Sequence, residues 1–207
     1  MEKKKIFKEY IEPIAIAILI ALFIRTFIVQ AFKIPSSSME PTLQVGDHLL
    51  VTKFIYGIKI PFIKTKYFPL KNPQRGDIIV FVYPKDRSKD FIKRVIGTEG
   101  EKVEILHNKI YINDRLIEDP WGHYYDERTP SLKYPQPMER FGPIVVPKKS
   151  LFVLGDNRDN SQDSRFWGFV SETEVKGKAL IIYFSWDRYA QSLLEKVRWV
   201  RFGKLIR

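Results

Sequence analysis

The sequence contains no cysteine and only three histidines among its 207 residues. The absence of cysteine excludes disulfide bonds, thiolate zinc sites and thiol catalysis. Neither the H-E-x-x-H motif of metalloproteases nor the G-x-S-x-G motif of many hydrolases is present. There is also no repeat of about 20–50 residues and no alternation of strands with helices, which disfavours solenoids and doubly wound parallel sheets.

The composition is that of a globular protein, with 44% hydrophobic and 29% charged residues. The length suffices for one domain with its own core. The formal net charge of +11 calls for an acidic partner, for which nucleic acid and an anionic membrane surface are both candidates.

An apolar segment follows the lysine-rich start MEKKKIFK. Its strictly apolar run, Ile14 to Ile24, is shorter than the roughly twenty residues that a membrane-spanning helix needs. Extension to Phe32 gives about twenty residues, or near 30 Å of helix. The extended segment includes Arg25, whose long side chain can reach the headgroups from the far end of the span.

Three interpretations of this segment compete: a spanning anchor, a cleaved signal peptide and a buried core helix. Val29-Gln30-Ala31 resembles a small-x-small cleavage site, but the late Arg25 and the serine cluster that follows favour an anchor. The positive-inside rule then places the lysines in the cytoplasm. The predicted division is a cytoplasmic tail at 1–11, an anchor at 12–32 and an exported domain at 33–207.

Strand patterns dominate the remainder of the chain. The segments KVEIL and KIYIN flank His107-Asn108 and predict a tight hairpin. Because helices do not alternate with the strands, we predict a mainly β, antiparallel domain. The other predicted strands are HLLVTKFIY (48–56), DIIVFVY (77–83), FIKRVIG (91–97), SLFVLG (150–155) and GKALIIYFS (177–185).

Three segments interrupt this pattern. The stretch 57–75 is rich in lysine and proline, and 118–143 reads as a long insertion, either a surface loop or a small ribbon. The C-terminal stretch 187–207 is basic and can begin as a helix. The basic segments fit a solvated face, a membrane interface or a nucleic-acid surface. No nucleic-acid-binding module is recognisable, and an exported domain would rarely meet DNA.

The stretch IPSSSMEPT (34–42) places three serines between two prolines. A serine nucleophile needs a neighbouring base. His48 starts a strand, His107 lies in a predicted turn and His123 lies in the insertion, so a Ser-His-Asp triad is weakly supported.

Lysine is the remaining activator, provided that burial lowers its pKa. Lys93 alternates with apolar residues in a predicted strand and shares a face with Phe91 and Val95. Lys53 is a second candidate on similar grounds. The pattern alone does not decide between Lys93 and Lys53. It also leaves open that either lysine points to solvent from an edge strand.

The segment GDNRDNSQDSRFWG (155–168) is dense in Asp and Asn. A calcium loop starting at Asp159 fails, because Ser164 stands where glycine is needed and Val170 where glutamate is needed. Pairs of Asp159 with Arg158 and of Asp163 with Arg165 remain open, beside a purely structural turn. We expect no metal and no cofactor.

The chain resembles the type I signal peptidases, membrane-anchored Ser/Lys proteases that remove signal peptides from exported proteins. After one N-terminal span, the resemblance is carried by PSSSMEPTL (35–43), GDHLLVTK (46–53), RGDIIVF (75–81), FIKRVIG (91–97) and GDNRDNSQDSRFWG (155–168). It implies an antiparallel β fold on a platform that dips into the membrane.

The resemblance also implies roles for individual residues. Ser38, before Met39, matches the nucleophile and Lys93 the general base. Ser36 matches an oxyanion donor, and Ser37 replaces the usual glycine, so that Ser37→Ala is expected to matter least. Ser161 matches the serine that orients the lysine amine. Asp163 and Arg165 match an ion pair that supports the site.

Two apolar pockets that select small side chains at substrate positions −1 and −3 are expected near Ser38. By resemblance their walls comprise Phe32, Ile34, Pro35, Met39, Leu43 and Ile92. The expected partners are preprotein signal peptides, the lipid bilayer and possible protein-export machinery, with no nucleic acid. The expected location is the inner (plasma) membrane, as a single-pass protein with an extracytoplasmic catalytic domain.

Two other functions stay open at this point. One is a non-catalytic membrane-anchored β module that binds anionic lipid or a secretion partner through its basic face. The other is a soluble Ser/Lys self-cleaving repressor, against which the anchor and the block GDNRDNSQDSR argue.

Overall fold

The structure is a computed structural model that describes residues 7–59, 66–67, 69–124 and 140–206. The predicted mainly antiparallel β fold is confirmed, with an apolar helix at the N-terminus. The described strands are β1 Val29–Lys33, β2 Asp47–Thr52, β3 Ile58–Lys59, β4 Lys66–Tyr67, β5 Ile78–Val82, β6 Asp90–Gly97, β7 Lys102–Leu106, β8 Lys109–Ile112, β9 Arg115–Leu116, β10 Arg140–Val145, β11 Ser150–Leu154, β12 Val170–Ser171, β13 Val175–Ser185 and β14 Lys204–Leu205.

The N-terminal helix α1, Glu12–Phe23, continues from a π-helical turn at Phe7–Ile11 into another at Ile24–Ile28. After Glu12 its side chains are apolar all round and none is buried, which is the pattern of a helix that lies in lipid. The segment Glu9–Ile28 is long and apolar enough to cross a membrane. Two one-turn helices complete the set, α2 Ser164–Trp167 and α3 Leu193–Lys196.

The predicted anchor at 12–32 extends past the end of the helical segment. The helical segment stops at Ile28, and Val29–Lys33 forms β1, which pairs antiparallel with β2. Gln30 and the residues beside it belong to a sheet, where the peptide groups find partners on another strand instead of within a helix. Part of the predicted cytoplasmic tail, residues 1–6, lies outside the described residues.

A large sheet carries the site. Its strands follow the order β1-β2-β13-β5-β6-β11-β12, with β14 attached to β13, and all described pairs in it are antiparallel. Strand β2 alternates buried and half-buried residues over most of its length. The predicted strand at 48–56 is shorter than expected, because Phe54–Tyr56 turns into a 3₁₀ helix.

A smaller sheet has the order β10-β7-β8-β9. The predicted hairpin between β7 and β8 is confirmed: His107 and Asn108 have φ of 48° and 63°, which suits a tight turn with the right-handed strand twist. The end of the predicted insertion is ordered, since Arg140–Val145 forms β10. Its central part, 125–139, lies outside the described residues.

Apolar side chains cover both faces of the large sheet. Ile78 and Val80 pack on one face, whereas Ile79 and Phe81 pack on the other. This is the period of two that a strand imposes on its side chains. The sheet therefore holds β5 and its neighbour β6 firmly between two packed layers.

The C-terminal segment is fastened to the loop that precedes β2. Both carboxylate oxygens of buried Asp47 accept from Arg201, at 2.9 and 2.6 Å. Arg201 also donates to the Thr42 carbonyl at 2.9 Å, and the Ser185 hydroxyl donates to Asp47 at 2.7 Å. These contacts fix the loop of residues 34–47, in which the serine cluster lies.

Candidate active site

The serine cluster occupies a turn between β1 and β2. The Glu40 N–H donates to the Ser37 carbonyl at 3.0 Å, which closes a β-turn around Ser38. Ser38 is 8% exposed, while Ser36 lies at the surface. Because Pro35 and Pro41 flank this turn and resist helix formation, the Ser38 hydroxyl is presented from a short, constrained loop.

Lys93 approaches Ser38 from strand β6. Its Nζ donates to Ser38 Oγ at 2.6 Å, and the lysine is only 3% exposed. It lies 5.6 Å from the ring centroid of Phe91, on the face that also holds Val95. The alternation in FIKRVIG therefore does direct Lys93 into an apolar interior.

Burial makes Lys93 a candidate base. Loss of water lowers the pKa of the Lys93 amine from 10.5 to about 8, while the carboxylates of Asp163 and Asp156 act in the opposite direction. A lysine with this pKa is about one-tenth neutral at pH 7. A neutral amine at 2.6 Å can accept the Ser38 proton.

Ser36 lies beside the nucleophile candidate. The hydroxyls of Ser36 and Ser38 are 3.4 Å apart. A hydroxyl this close can turn towards an oxygen that develops negative charge next to Ser38. The geometry is therefore compatible with the oxyanion role that the resemblance implies.

Asp163 and Arg165 form the predicted ion pair behind the lysine. Arg165 donates two hydrogen bonds to the Asp163 carboxylate, from Nε at 2.8 Å and from Nη2 at 2.9 Å. Asp163 also accepts from the Gly155 N–H at 3.1 Å and caps α2. The pair thus ties the end of β11 to the segment that follows it.

Ser161 is buried next to the site but does not hold the lysine. Within the described residues its hydroxyl has no hydrogen-bond partner, so the expected bond to the Lys93 amine is not formed. A Cβ on Gly155 would collide with the Ser161 hydroxyl and with the Ser38 carbonyl. Gly155 is therefore needed for the close approach of these two segments.

Arg158 has a partner that lies far away in the sequence. Arg158 is buried and binds Asp119 through both of its terminal nitrogens, one of them at 2.8 Å from Asp119 Oδ1. The Arg158 N–H also donates to the His123 carbonyl at 2.9 Å. The start of the insertion is thereby packed against the loop that carries Asp163.

Sequence reasoning missed a second buried ion pair. Arg94, directly after Lys93, donates to Asp156 at 2.8 and 2.7 Å, and its guanidinium lies 4.6 Å from the Trp121 ring centroid. Both members are fully buried. The sequence pointed to Arg94 and Asp156 only through their positions in the motifs FIKRVIG and GDNRDN. No local sequence pattern pairs residues that lie 62 positions apart.

A groove of about 510 Å³ opens at Ser38 and Lys93. Pro35 and Ile92 line it, as expected for substrate contact. The sequence assigned no substrate contact to several other lining residues, namely Val45, Asp90, Phe91, Asn160, Gln162 and Tyr189.

The remaining predicted pocket residues belong to the apolar layer beneath the groove. Met39, Leu43 and Ile34 are buried in one core cluster, against which Phe32 and Ile92 pack. Among them Ile92 alone lines the groove in the described structure. The others shape the groove by supporting its walls.

The other candidate activators lie elsewhere. Lys53 donates to the backbone carbonyls of Arg25 and Thr26, at 3.1 and 3.2 Å, and so caps the end of the N-terminal helical segment. His48 packs edge-on against Tyr183 and Phe184. The described partners of the Ser38 hydroxyl are Lys93 and Ser36.

Comparison with known proteins gives a consistent result. The family model described as "Signal peptidase, peptidase S26" matches residues 7–186. Signal peptidase I of Pseudomonas aeruginosa is 36% identical over 214 residues, which cover 90% of this chain and 75% of that protein. Signal peptidase I of Aquifex aeolicus is 37% identical over 228 residues, covering 86% and 84% of the two chains. The crystal structure of a signal peptidase I from Enterococcus faecalis is 32% identical, covers 52% of this chain and 97% of that one, and has a TM-score of 0.41.

Proposed function

The chain belongs to the signal peptidase family, peptidase S26, and from that premise we propose that Ser38 is the nucleophile and Lys93 the general base of its reaction. The activity of the chain is that of signal peptidase I, a serine endopeptidase that cleaves signal peptides from preproteins. The observation that carries the assignment of the dyad is the 2.6 Å contact between the buried Lys93 amine and Ser38 Oγ.

The reaction begins when neutral Lys93 accepts the Ser38 proton. The Ser38 oxygen attacks the scissile carbonyl carbon, and the resulting oxyanion accepts from the Ser38 N–H and the Ser36 hydroxyl. Lys93 then gives its proton to the leaving amine. A water molecule releases the signal peptide from Ser38 by the same steps, with Lys93 again as base.

A bound substrate favours this chemistry further. Lys93 is already almost out of water, and a peptide in the groove displaces the solvent that remains. This desolvation penalises the ammonium form and raises the neutral fraction. The Asp163–Arg165 pair, which holds the backbone next to Lys93, keeps the amine in place while its charge changes.

The selection of small side chains is assigned to the groove. Ile92 and Pro35 form apolar walls beside Ser38, and the buried layer of Ile34, Met39 and Leu43 supports them. Walls that cannot retreat into a close-packed core exclude bulky side chains by steric clash. Substrates with small residues at −1 and −3 fit such a groove.

The membrane is the proposed site of action. Signal peptidase relatives and the apolar N-terminal helix indicate a membrane-anchored protein. By the positive-inside rule the lysine-rich start is cytoplasmic and residues 33–207 are exported, with residues 1–11 as tail and the span ending near Ile28. Export machinery and lipid are the expected neighbours of an enzyme that meets its substrates there.

Exposed side chains of the C-terminal segment support contact with lipid. Trp199 and Val200 are 67% and 91% exposed, and Lys204 and Leu205, further along the segment, are exposed as well. Aromatic and basic side chains together are typical of a membrane interface. We assign this surface to the bilayer, not to nucleic acid.

The test uses the purified full-length chain in detergent and a preprotein with Ala at −1 and −3. We expect no cleavage by Ser38→Ala or Lys93→Arg, because guanidinium remains protonated. Ser36→Ala should fold and lose roughly 10²–10³ in rate. Lys53→Arg and Ser88→Ala are matched controls outside the groove and should cleave normally.

The same variants separate the enzyme from a non-catalytic lipid-binding module. Such a module would bind anionic vesicles equally well with and without the Ser38→Ala substitution, and it would release no signal peptide in either form. Cleavage by Ser38→Ala at the wild-type rate would overturn the assignment of the nucleophile.

A further inference from the structure

Ser37 occupies the central position of the serine cluster and is bound to the loop on the far side of the site. Asn160 Nδ2 donates to Ser37 Oγ at 2.8 Å. Asn160 belongs to the 3₁₀ turn Arg158–Asn160, directly before Ser161. A glycine at position 37 has no side chain with which to make this bond, so the bond is a property of this chain's own residue.

Two more hydrogen bonds join Asn157 to the backbone carbonyls of the serine turn. Asn157 Nδ2 donates to the Ser37 carbonyl at 3.2 Å, and the Asn157 N–H donates to the Ser38 carbonyl at 3.2 Å. The Ser37 carbonyl also accepts from Glu40 N–H at 3.0 Å. The peptide group between Ser37 and Ser38 is therefore held at its oxygen from two directions.

The orientation of this peptide group matters for catalysis. A peptide unit is planar, with its N–H opposite its C=O, so the bonds to the Ser37 carbonyl also fix the direction of the Ser38 N–H. That N–H is the proposed oxyanion donor. An oxyanion donor is effective only when it is aimed in advance at the position where charge develops.

We propose that the Ser37–Asn160 hydrogen bond is a latch that keeps the Ser37–Ser38 peptide in its catalytic orientation, which makes Ser37 and Asn160 positioning residues. The proposal rests on the assignment of Ser38 as nucleophile and of its N–H as oxyanion donor. The latch adds a second side-chain bond to a turn whose carbonyl groups are otherwise held by Asn157 and by the Glu40 N–H. Neither residue takes part in proton transfer.

The test is a double-mutant cycle with Ser37→Ala and Asn160→Ala in the full-length chain, measured on one preprotein. Each single variant should lower kcat roughly fivefold, which corresponds to the loss of one ordinary hydrogen bond, and should leave KM nearly unchanged. The double variant should lose no more than either single variant, because both remove the same bond. Ser37→Thr, which keeps the hydroxyl, should retain most of the activity.

Two further measurements separate a latch from a general structural effect. The acid limb of the pH profile should be the same in all variants, since Lys93 is untouched, and the midpoint of thermal unfolding should stay close to that of the control Ser171→Ala, whose surface hydroxyl bonds to Thr173. Three results would each overturn the latch. They are losses of kcat that add independently in the double variant, an effect on KM alone, and a wild-type kcat in Ser37→Ala. An active Ser38→Ala variant would instead remove the proposed function on which it rests.

Discussion

At the scale of single residues, Lys93 shows the conflict between stability and activity. A buried amine with a pKa lowered from 10.5 to about 8 opposes folding whenever it is protonated. The folded state then binds the Lys93 proton more weakly than the unfolded chain does. The free energy of unfolding should therefore rise with pH between about 8 and 10.5. Below pH 8 it should be reduced by the full cost of burying the protonated Lys93 amine.

Replacement of Lys93 by methionine should remove this penalty. We expect Lys93→Met to be inactive and yet more stable than the wild type at pH 6, by up to about 3 kcal/mol. The gain should shrink as pH rises from 8 and vanish above about 10.5. Chemical unfolding of both proteins in detergent over this pH range measures the difference, and a lower stability of the variant at pH 6 would show that Lys93 is not desolvated as described.

Single residues were also where the sequence was most and least informative. The alternation of Lys93 with Phe91 and Val95 allowed a lysine that faces the interior, but the family resemblance, and not the pattern, distinguished Lys93 from Lys53. Lys53 had a similar local pattern, but its strand gives way to a 3₁₀ turn and its amine caps the N-terminal helical segment instead. Local pattern cannot separate such cases, since the difference lies in tertiary contacts.

At the scale of elements, the loop between β1 and β2 and strand β6 together form the groove. Ile92 is a half-buried wall residue, whereas Met39 is fully buried beneath it. A change at the wall alters the shape of the groove, but a change beneath it alters the core. The two kinds of residue should therefore respond differently to truncation.

We expect Ile92→Ala to accept larger side chains, such as Val or Leu, at substrate position −1 or −3. Met39→Ala should instead cost about 2–5 kcal/mol of stability through the cavity that it leaves. Rates for a set of preproteins that vary at −1, −2 and −3, together with thermal unfolding of both variants, test the distinction. If Ile92→Ala keeps the wild-type selectivity, Ile92 does not belong to the walls that select the substrate side chain.

Elements were predictable where one local signal was sufficient. The hairpin at His107-Asn108 follows from turn chemistry, and strands β5, β6, β11 and β13 follow from their content of β-branched and aromatic residues. The helical segment ends before the predicted anchor does, because residues 29–32 continue the mostly apolar run and form a strand only through their pairing with β2. The partner of Arg158 was missed for the same reason, since Asp119 is 39 residues away.

At the scale of the whole molecule, the N-terminal helical segment and the C-terminal segment are both connected to the catalytic loop. The N-terminal helical segment passes into β1 and then into the serine cluster within a few residues. The C-terminal segment returns through Arg201 to Asp47 at the other end of the same loop. The nucleophile is thus held between the membrane anchor and the proposed lipid-facing segment.

The absence of cysteine makes the proposed topology easy to test. Ser88 lies on an exposed turn of the catalytic domain, so Ser88→Cys should react with a membrane-impermeant maleimide in intact spheroplasts. Lys4→Cys should react only after the membrane is permeabilised, because the proposed topology places the lysine-rich start in the cytoplasm. The opposite labelling pattern would place residues 33–207 in the cytoplasm.

The pH dependence of kcat/KM tests the central claim, that neutral Lys93 activates Ser38, most directly. The free enzyme's base determines the acid limb of this profile. With a Lys93 pKa of about 8, kcat/KM for a preprotein should be level above that pH and fall about tenfold per unit well below it. A profile that stays flat through pH 8, or one with a midpoint near 6.5 as a histidine base would give, would contradict the Ser38–Lys93 dyad.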